Sequence, residues 1–180
     1  MENPIKRPLQ SLFALWICLT VANPASSANT RGEVAIGGIL REATLQGLNG
    51  PSRNLSAFRG KPLLINMWAS WCGPCKQEME SFERLAWRSQ NQYFAIIGIS
   101  TDDYADKAKI LLRTTNATIS QFIDTRLQME NMLGASRLPL TVFIDADGRV
   151  LQKIYGAREW DGADALRLID ETFHKRRRPP

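Results

Sequence analysis

Apolar and polar residues alternate along this chain in blocks whose periods predict a mixed α/β domain. Residues 63–68 (LLINMW) form a nearly unbroken apolar run, the pattern of a strand buried on both faces, and residues 93–100 (YFAIIGIS) repeat it. Between them Cys75, Met79, Phe82, Leu85 and Ala86 recur at helical spacing, which predicts a helix over 72–89 with one face on a sheet. Ala108, Leu111 and Leu112 make a narrower stripe on a second helix ending near residue 113, for which Asp102 and Asp103 offer caps. A polar connection carrying Ile119 and Phe122 leads to a short helix predicted over 126–133 and stopped by Gly134. A third apolar run at 139–144, a turn at Asp145-Ala146-Asp147-Gly148 and a return over 150–155 read as an antiparallel hairpin. Asp161 is placed to cap a last helix whose apolar side holds Ala165, Leu168, Ile169 and Phe173. Upstream, residues 43–48 and 53–55 flank Asn49-Gly50-Pro51-Ser52 and predict a small hairpin ahead of the main sheet. The order is β-α-β-α-(short helix)-β-β-α, with no internal repeat.

The two ends depart from this pattern. Lys6 and Arg7, the largely apolar residues 11–22 and the small, helix-breaking Asn23-Pro24-Ala25-Ser26-Ser27-Ala28 form a signal-peptide pattern over residues 1–28, with cleavage expected after Ala28 or Ala25. A membrane span needs about 20 apolar residues, so the alternative, an uncleaved anchor, must draw residues 8–22 and their flanks into the bilayer. At the other end Lys175-Arg176-Arg177-Arg178 supply four of the five net positive charges of the chain. The basic balance thus belongs to a tail, 175–180, and not to a nucleic-acid-binding face; the tail reads as a solvated helix end or as a contact for anionic lipid.

The candidate chemistry lies where the first buried strand meets the first helix, at Trp71-Cys72-Gly73-Pro74-Cys75. Unpaired N–H groups and the positive dipole end at a helix start favour an anion, so the thiol of Cys72 is expected to ionise readily and act as the nucleophile. Cys75, one turn further in, is expected to be the more buried partner that attacks the mixed disulfide and releases the client. Pro74 suits a first helical turn, where a missing N–H does no harm. Zinc would want four ligands, and beyond this pair the chain has only Cys18 and His174. A purely structural bridge across so short a loop would remove little entropy from the unfolded chain. With Cys18 inside the leader, the exported domain keeps only the pair, as an oxidising compartment tolerates.

The segment from Trp68 to Lys76, the strand opening with Pro139 and the Asp-x-Asp-Gly turn after it resemble the thioredoxin superfamily. Gly60-Lys61-Pro62 leading into that strand, Glu78 three residues after the second cysteine, and the run from Ile144 to Gly148 look more particularly like the TlpA/ResA group of exported, membrane-linked thiol-disulfide oxidoreductases. The likeness covers most of residues 33–172. It implies a thioredoxin fold over 33–174, a central mixed sheet flanked by helices, with the upstream hairpin as an extension. It also implies a cis Leu138–Pro139 bond opposite the cysteines, the backbone of Leu138 free to pair with a client strand, and Trp71, Gly73 and Pro74 meeting the client. Glu78 matches an acid that the group places near the active site, where it could move protons to or from Cys75; otherwise it is an acid complementing the helix dipole.

Three positions depart from the group's pattern. Asn66 stands where cytoplasmic thioredoxins have a buried aspartate, which leaves Glu78 as its substitute. Glu80 replaces a usual proline, and Leu140 a frequent threonine. Trp68 and Trp71 fit the aromatics beside the active site, while Trp87 is expected in the core. The expected function is disulfide reduction in client proteins outside the cytoplasm, with electrons from a membrane thiol donor and no bound cofactor, because the cysteine pair itself stores two electrons. Cytochrome c apoprotein and copper-site assembly factors are the clients the family suggests, and a monomer is expected. Net oxidation or isomerisation stays open, as does a non-catalytic copper(I) module using Cys72, Cys75 and Met67 or Met79. A peroxidase fits less well, since Ser70 and Ala69 do not match the Thr-x-x-Cys pattern.

Overall fold

The computed structural model describes residues 32–88 and 93–174. The leader over 1–28, Cys18 and the basic tail over 175–180 lie outside the described residues. Among the described residues the elements run β1 (Thr44–Gly47), β2 (Arg53–Asn54), β3 (Leu63–Trp68), α1 (Gly73–Arg88), β4 (Ala95–Ser100), α2 (Ala105–Thr114), β5 (Ser120–Ile123), α3 (Gln128–Leu133), β6 (Leu140–Ile144), β7 (Val150–Tyr155) and α4 (Ala163–His174). One seven-stranded sheet has the order β2-β1-β5-β4-β3-β6-β7. β3, β4 and β5 are parallel, and the outer strands are antiparallel to their neighbours. This is a mixed sheet of the thioredoxin type, and the predicted upstream hairpin forms and extends it at the β5 edge.

Successive side chains of a strand point to opposite faces, and β3, at the centre, supplies both layers. Ile65 and Met67 join Ile97, Ile99, Val142 and the α3 residues Met129, Met132 and Leu133 in one cluster. Leu64 packs with Phe82, Leu85, Phe143, Trp160, Ile169 and Phe173 against α1 and α4, while Trp68 packs with Cys75, Met79, Ala108 and Leu112 against α1 and α2. The segment before β1 is tied down as well: the Val34 N–H donates to Met132 O, and Glu33 pairs with Lys153 beneath α3. Gly134 ends α3 with φ +72°, and a Cβ there would fall 2.4 Å from the Glu33 carboxylate. Only glycine meets both demands.

Several expectations are corrected. The strand β5 was not predicted: four residues with a polar Ser120 and Gln121 carry too little alternation, and only pairing with β4 and β1 makes them a strand. Tyr93 and Phe94 precede β4, which begins at Ala95. Neither Asp102 nor Asp103 caps α2, which starts after Tyr104 without a side-chain cap. Asp161 does not cap α4; its carboxylate binds Arg84, with Arg84 Nε 2.8 Å from Oδ2, and an ion pair at α1 holds it away from the helix end. Trp87 is 63% exposed on the outer face of α1, because a sixteen-residue helix has room for only one buried stripe. Ala86 of the predicted stripe is only half-buried. α1 runs unbroken through Glu80.

Gly98 makes a packing prediction. A Cβ there would meet Gln121 Oε1 at 2.0 Å, and that oxygen accepts the hydrogen bond of the buried Trp68 indole at 2.9 Å. Gly98→Ala should therefore displace the amide, orphan the indole N–H and lower stability by about 2 kcal/mol in urea unfolding. Adding Gln121→Ala should recover part of that loss; two strictly additive losses would refute the clash.

Candidate active site

The three parallel strands all end at one pole of the sheet, and the antiparallel β6 begins there. The connections 69–72, 101–104 and 124–127 and the Leu138–Pro139 step are thereby gathered at that pole by topology alone. The Leu138–Pro139 peptide bond is cis, in agreement with the resemblance. Pro139 is buried and Leu138 half-buried, and Pro139 O accepts from the Gly156 N–H at 2.9 Å.

At this pole the sulfurs of Cys72 and Cys75 are 1.97 Å apart, with 5.3 Å between their Cα atoms. Cys72 immediately precedes α1, and its sulfur accepts the Cys75 N–H at 3.2 Å, the place that a capping oxygen takes at other helices. An N–H that the helix cannot use is thus aimed at the Cys72 sulfur, an arrangement that suits a negative charge there. Cys75 is fully buried and Cys72 is 5% exposed, so the order of accessibility is the one expected. Trp71 is 71% exposed beside them, and Gly73 and Pro74 are exposed. Trp68 is fully buried behind the pair. Among the described residues no group of three or more His, Cys, Asp or Glu could hold a metal ion.

Glu78 lies one turn beyond Cys75 on the buried face of α1 and is 1% exposed. Its Oε1 accepts from Asn66 Nδ2 at 2.7 Å, and its Oε2 accepts from Trp160 Nε1 at 3.0 Å and from the Arg158 N–H at 3.3 Å. Burial pushes the carboxyl up from 4.5 to about 7, although all three donors favour its ionised form. Asn66, which replaces the aspartate of cytoplasmic thioredoxins, thus serves as a donor to the acid across the layer.

Two features of the site escaped the sequence. Asp102, expected to be a cap, is buried and accepts from Ser70 N at 2.9 Å, Ser70 Oγ at 2.7 Å and Ser100 Oγ at 2.7 Å, so it braces the loop that carries Trp71 and Cys72. Trp160 lies 82 residues from Glu78 and reaches it only because β7 returns along β6 and delivers the chain to α1. Asp102 carries no local signal of this role, because an aspartate just before a helix is by local rules a cap, and Trp160 carries none beyond its size.

Comparison with known proteins agrees with this geometry. The Redoxin family model matches residues 35–169. Thiol-disulfide oxidoreductase ResA of Geobacillus thermodenitrificans is 30% identical over 123 residues, 68% of this chain and 71% of that protein. Thiol:disulfide interchange protein DsbE of Vibrio cholerae is 32% identical over 145 residues, 77% of each chain. Among solved structures, a provisionally named thiol:disulfide interchange protein DsbE from Chlorobium tepidum superposes with a TM-score of 0.71 at 24% identity, covering 77% of this chain and 98% of that one.

The burial of Glu78 sets a pH dependence of stability. The folded chain holds this proton up to about pH 7, whereas the unfolded chain releases it near 4.5. The stability it contributes is therefore full below the unfolded value and is lost as pH rises through 7. Compared with Glu78→Gln, which does not titrate, the wild type should lose on the order of 3 kcal/mol between about pH 4 and pH 8 in urea unfolding. A stability difference that is flat with pH would mean that the carboxyl is not perturbed.

Proposed function

The chain belongs to the Redoxin family and is a thiol-disulfide oxidoreductase of the TlpA/ResA-like thioredoxin type, and from that premise we propose that it reduces disulfides of client proteins outside the cytoplasm. The observation that carries this reading is the pairing of Cys72, whose sulfur accepts the Cys75 N–H, with a buried acid of raised pKa one turn beyond Cys75. A thiolate that forms easily and a base that titrates near neutrality are the two groups that successive exchange steps need.

In the first step the Cys72 thiolate attacks a client disulfide; one client sulfur leaves as thiolate, and a Cys72–client disulfide remains. In the second, the Cys75 thiol gives its proton to the Glu78 carboxylate, and its sulfur attacks the Cys72 sulfur. The Cys72–client bond breaks, and the client thiolate leaves with the electron pair and takes a proton from water. The client has gained two electrons and the Cys72–Cys75 bond stores their loss, so no other cofactor is required. Leu138 packs against the cluster that holds both cysteines, and its backbone, before the cis Pro139, would align an extended client segment, with Trp71, Gly73 and Pro74 as the exposed contacts. The leader pattern of residues 1–28 supports export or anchoring, and a membrane thiol donor would then return the enzyme to its dithiol state. Within the family, cytochrome c apoprotein and copper-site assembly proteins are the clients to test first.

The roles of the two cysteines are separable. Cys75→Ser should accumulate a mixed disulfide through Cys72, visible as a reducible mass shift, and Cys72→Ser should form none. Turnover of insulin disulfides at the wild-type rate by both variants would refute the mechanism. The direction of electron flow follows from the reduction potential, read by tryptophan fluorescence in thiol buffers. A value below about −220 mV is expected for a reductant, and one near −120 mV would make the protein an oxidant instead.

A further inference from the structure

The connection between β7 and α4, residues 156–162, belongs to no motif of the site, yet it is fastened to α1 beside Glu78. Ser81 Oγ donates to Glu78 O at 2.7 Å and to Arg158 O at 3.3 Å, and accepts the Trp160 N–H at 3.0 Å. One turn further along α1, Arg84 binds the carboxylates of Glu159 and Asp161, and Arg88 Nη1 donates to Asp161 O at 3.0 Å. Between these ties the Trp160 ring is fully buried and stacked on Phe82, with centroids 5.1 Å apart. A ring held so firmly has one polar atom to satisfy, and its Nε1–H ends on Glu78 Oε2 at 3.0 Å.

We propose that Trp160 is a positioning residue for the second exchange step: its indole N–H holds the Glu78 carboxylate, in ionised form, toward Cys75. This rests on the reading of Glu78 as the base for Cys75. A carboxylate has several acceptor directions, and buried without fixed partners it would take up a proton and turn freely. Here Asn66 fixes one oxygen from β3, while Trp160 and the Arg158 N–H fix the other from the opposite side. Asn66 also lies 3.4 Å from Thr141 Oγ1 on β6, a neutral neighbour. The charged side chains of the connection are turned elsewhere: Glu159 and Asp161 go to Arg84, and the exposed Arg158 guanidinium lies 6.0 Å from the Trp160 ring centroid. Neutral donors therefore oppose the effect of burial on this acid. Removing the strongly held indole donor should favour the protonated form, in which Glu78 can no longer accept the Cys75 proton.

The test follows reduced protein reacting with a symmetric aromatic disulfide that releases one coloured thiol at each exchange step, measured by stopped flow across pH. The second release isolates attack by Cys75. Trp160→Phe keeps a stacking ring and removes the donor; it should move the pH midpoint of the second phase upward by about one unit and slow that phase about tenfold below the midpoint, leaving the first phase unchanged. Glu78→Gln should abolish that titration, and the double variant should behave as Glu78→Gln alone. A second phase of Trp160→Phe that superimposes on the wild type, while Glu78→Gln alters it, overturns the role of Trp160 and leaves the base reading standing. An unchanged Glu78→Gln profile overturns the base reading and this role with it. Equal slowing of both phases at every pH, with a lowered Tm, would mean that Trp160 acts only through packing and also overturns the proposal. Should the phenylalanine variant fail to fold, β-(3-benzothienyl)alanine at position 160 replaces the N–H by sulfur in a ring of the same shape, and the same outcomes apply.

Discussion

The central position of β3, hydrogen-bonded to β4 on one side and β6 on the other, is the constraint on which the site depends. A strand enclosed in this way cannot slide, because a shift of one residue would turn every side chain to the opposite face. Its register sends Asn66 and Trp68 toward α1 and Ile65 and Met67 toward α3. The strand then ends at Trp68, and after only four intervening residues, the last of them Cys72, the chain begins α1 at Gly73. The disulfide lies where it does because a buried strand and a helix start are joined by a connection too short to place it elsewhere.

Such a core must accommodate polar side chains, and it does so by pairing them. Trp68 donates to Gln121, and Asn66 and Trp160 donate to Glu78. Asp102 collects three donors from Ser70 and Ser100, and Asp124 accepts the N–H groups of Gln128 and Glu130 at the start of α3. Unpaired, each group would cost about 1–3 kcal/mol or more; paired, each fixes the relative placement of two elements. The arrangement is not uniform. Around Asp102 the partners brace the loop that bears Cys72, whereas around Glu78 burial prevails over the donors far enough to raise the carboxyl pKa to about 7. The same kind of network therefore surrounds a bracing carboxylate in one place and, in the other, a carboxyl that titrates near neutrality.

Much of the fold could be read along the chain. The runs 63–68 and 150–155 appear as β3 and β7 with the predicted bounds, α1 begins one residue later than predicted, and α3 begins two residues later and ends at Leu133 as predicted. These are elements in which the apolar period is long or the stop signal, Gly134, is unambiguous. β5 was missed because its four residues become a strand only between two partners. Asp102 and Asp161 were misread for a common reason: an aspartate just before a helix is a cap by local rules, and here distant partners, Ser70 and Arg84, offered better bonds. Trp87, expected in the core, is exposed, since size says that a tryptophan gains by burial and not which way the helix axis turns it, while Trp160, for which the sequence offered no reading, is buried.

The sequence by itself determined the reaction class, because a strand running into Cys-Gly-Pro-Cys at a helix start is a local arrangement whose spacing sets two thiols within disulfide reach at a helix terminus. Tertiary structure alone decided what Glu78 is. The same residue on the same helix would be an ordinary surface acid if α1 were rotated; its raised pKa arises because β3, α1 and the segment after β7 enclose it while supplying donors from Asn66, Arg158 and Trp160. Desolvation and long-range hydrogen bonds depend on distances in space, and these exist only once the sheet has brought residues 66, 78 and 160 together.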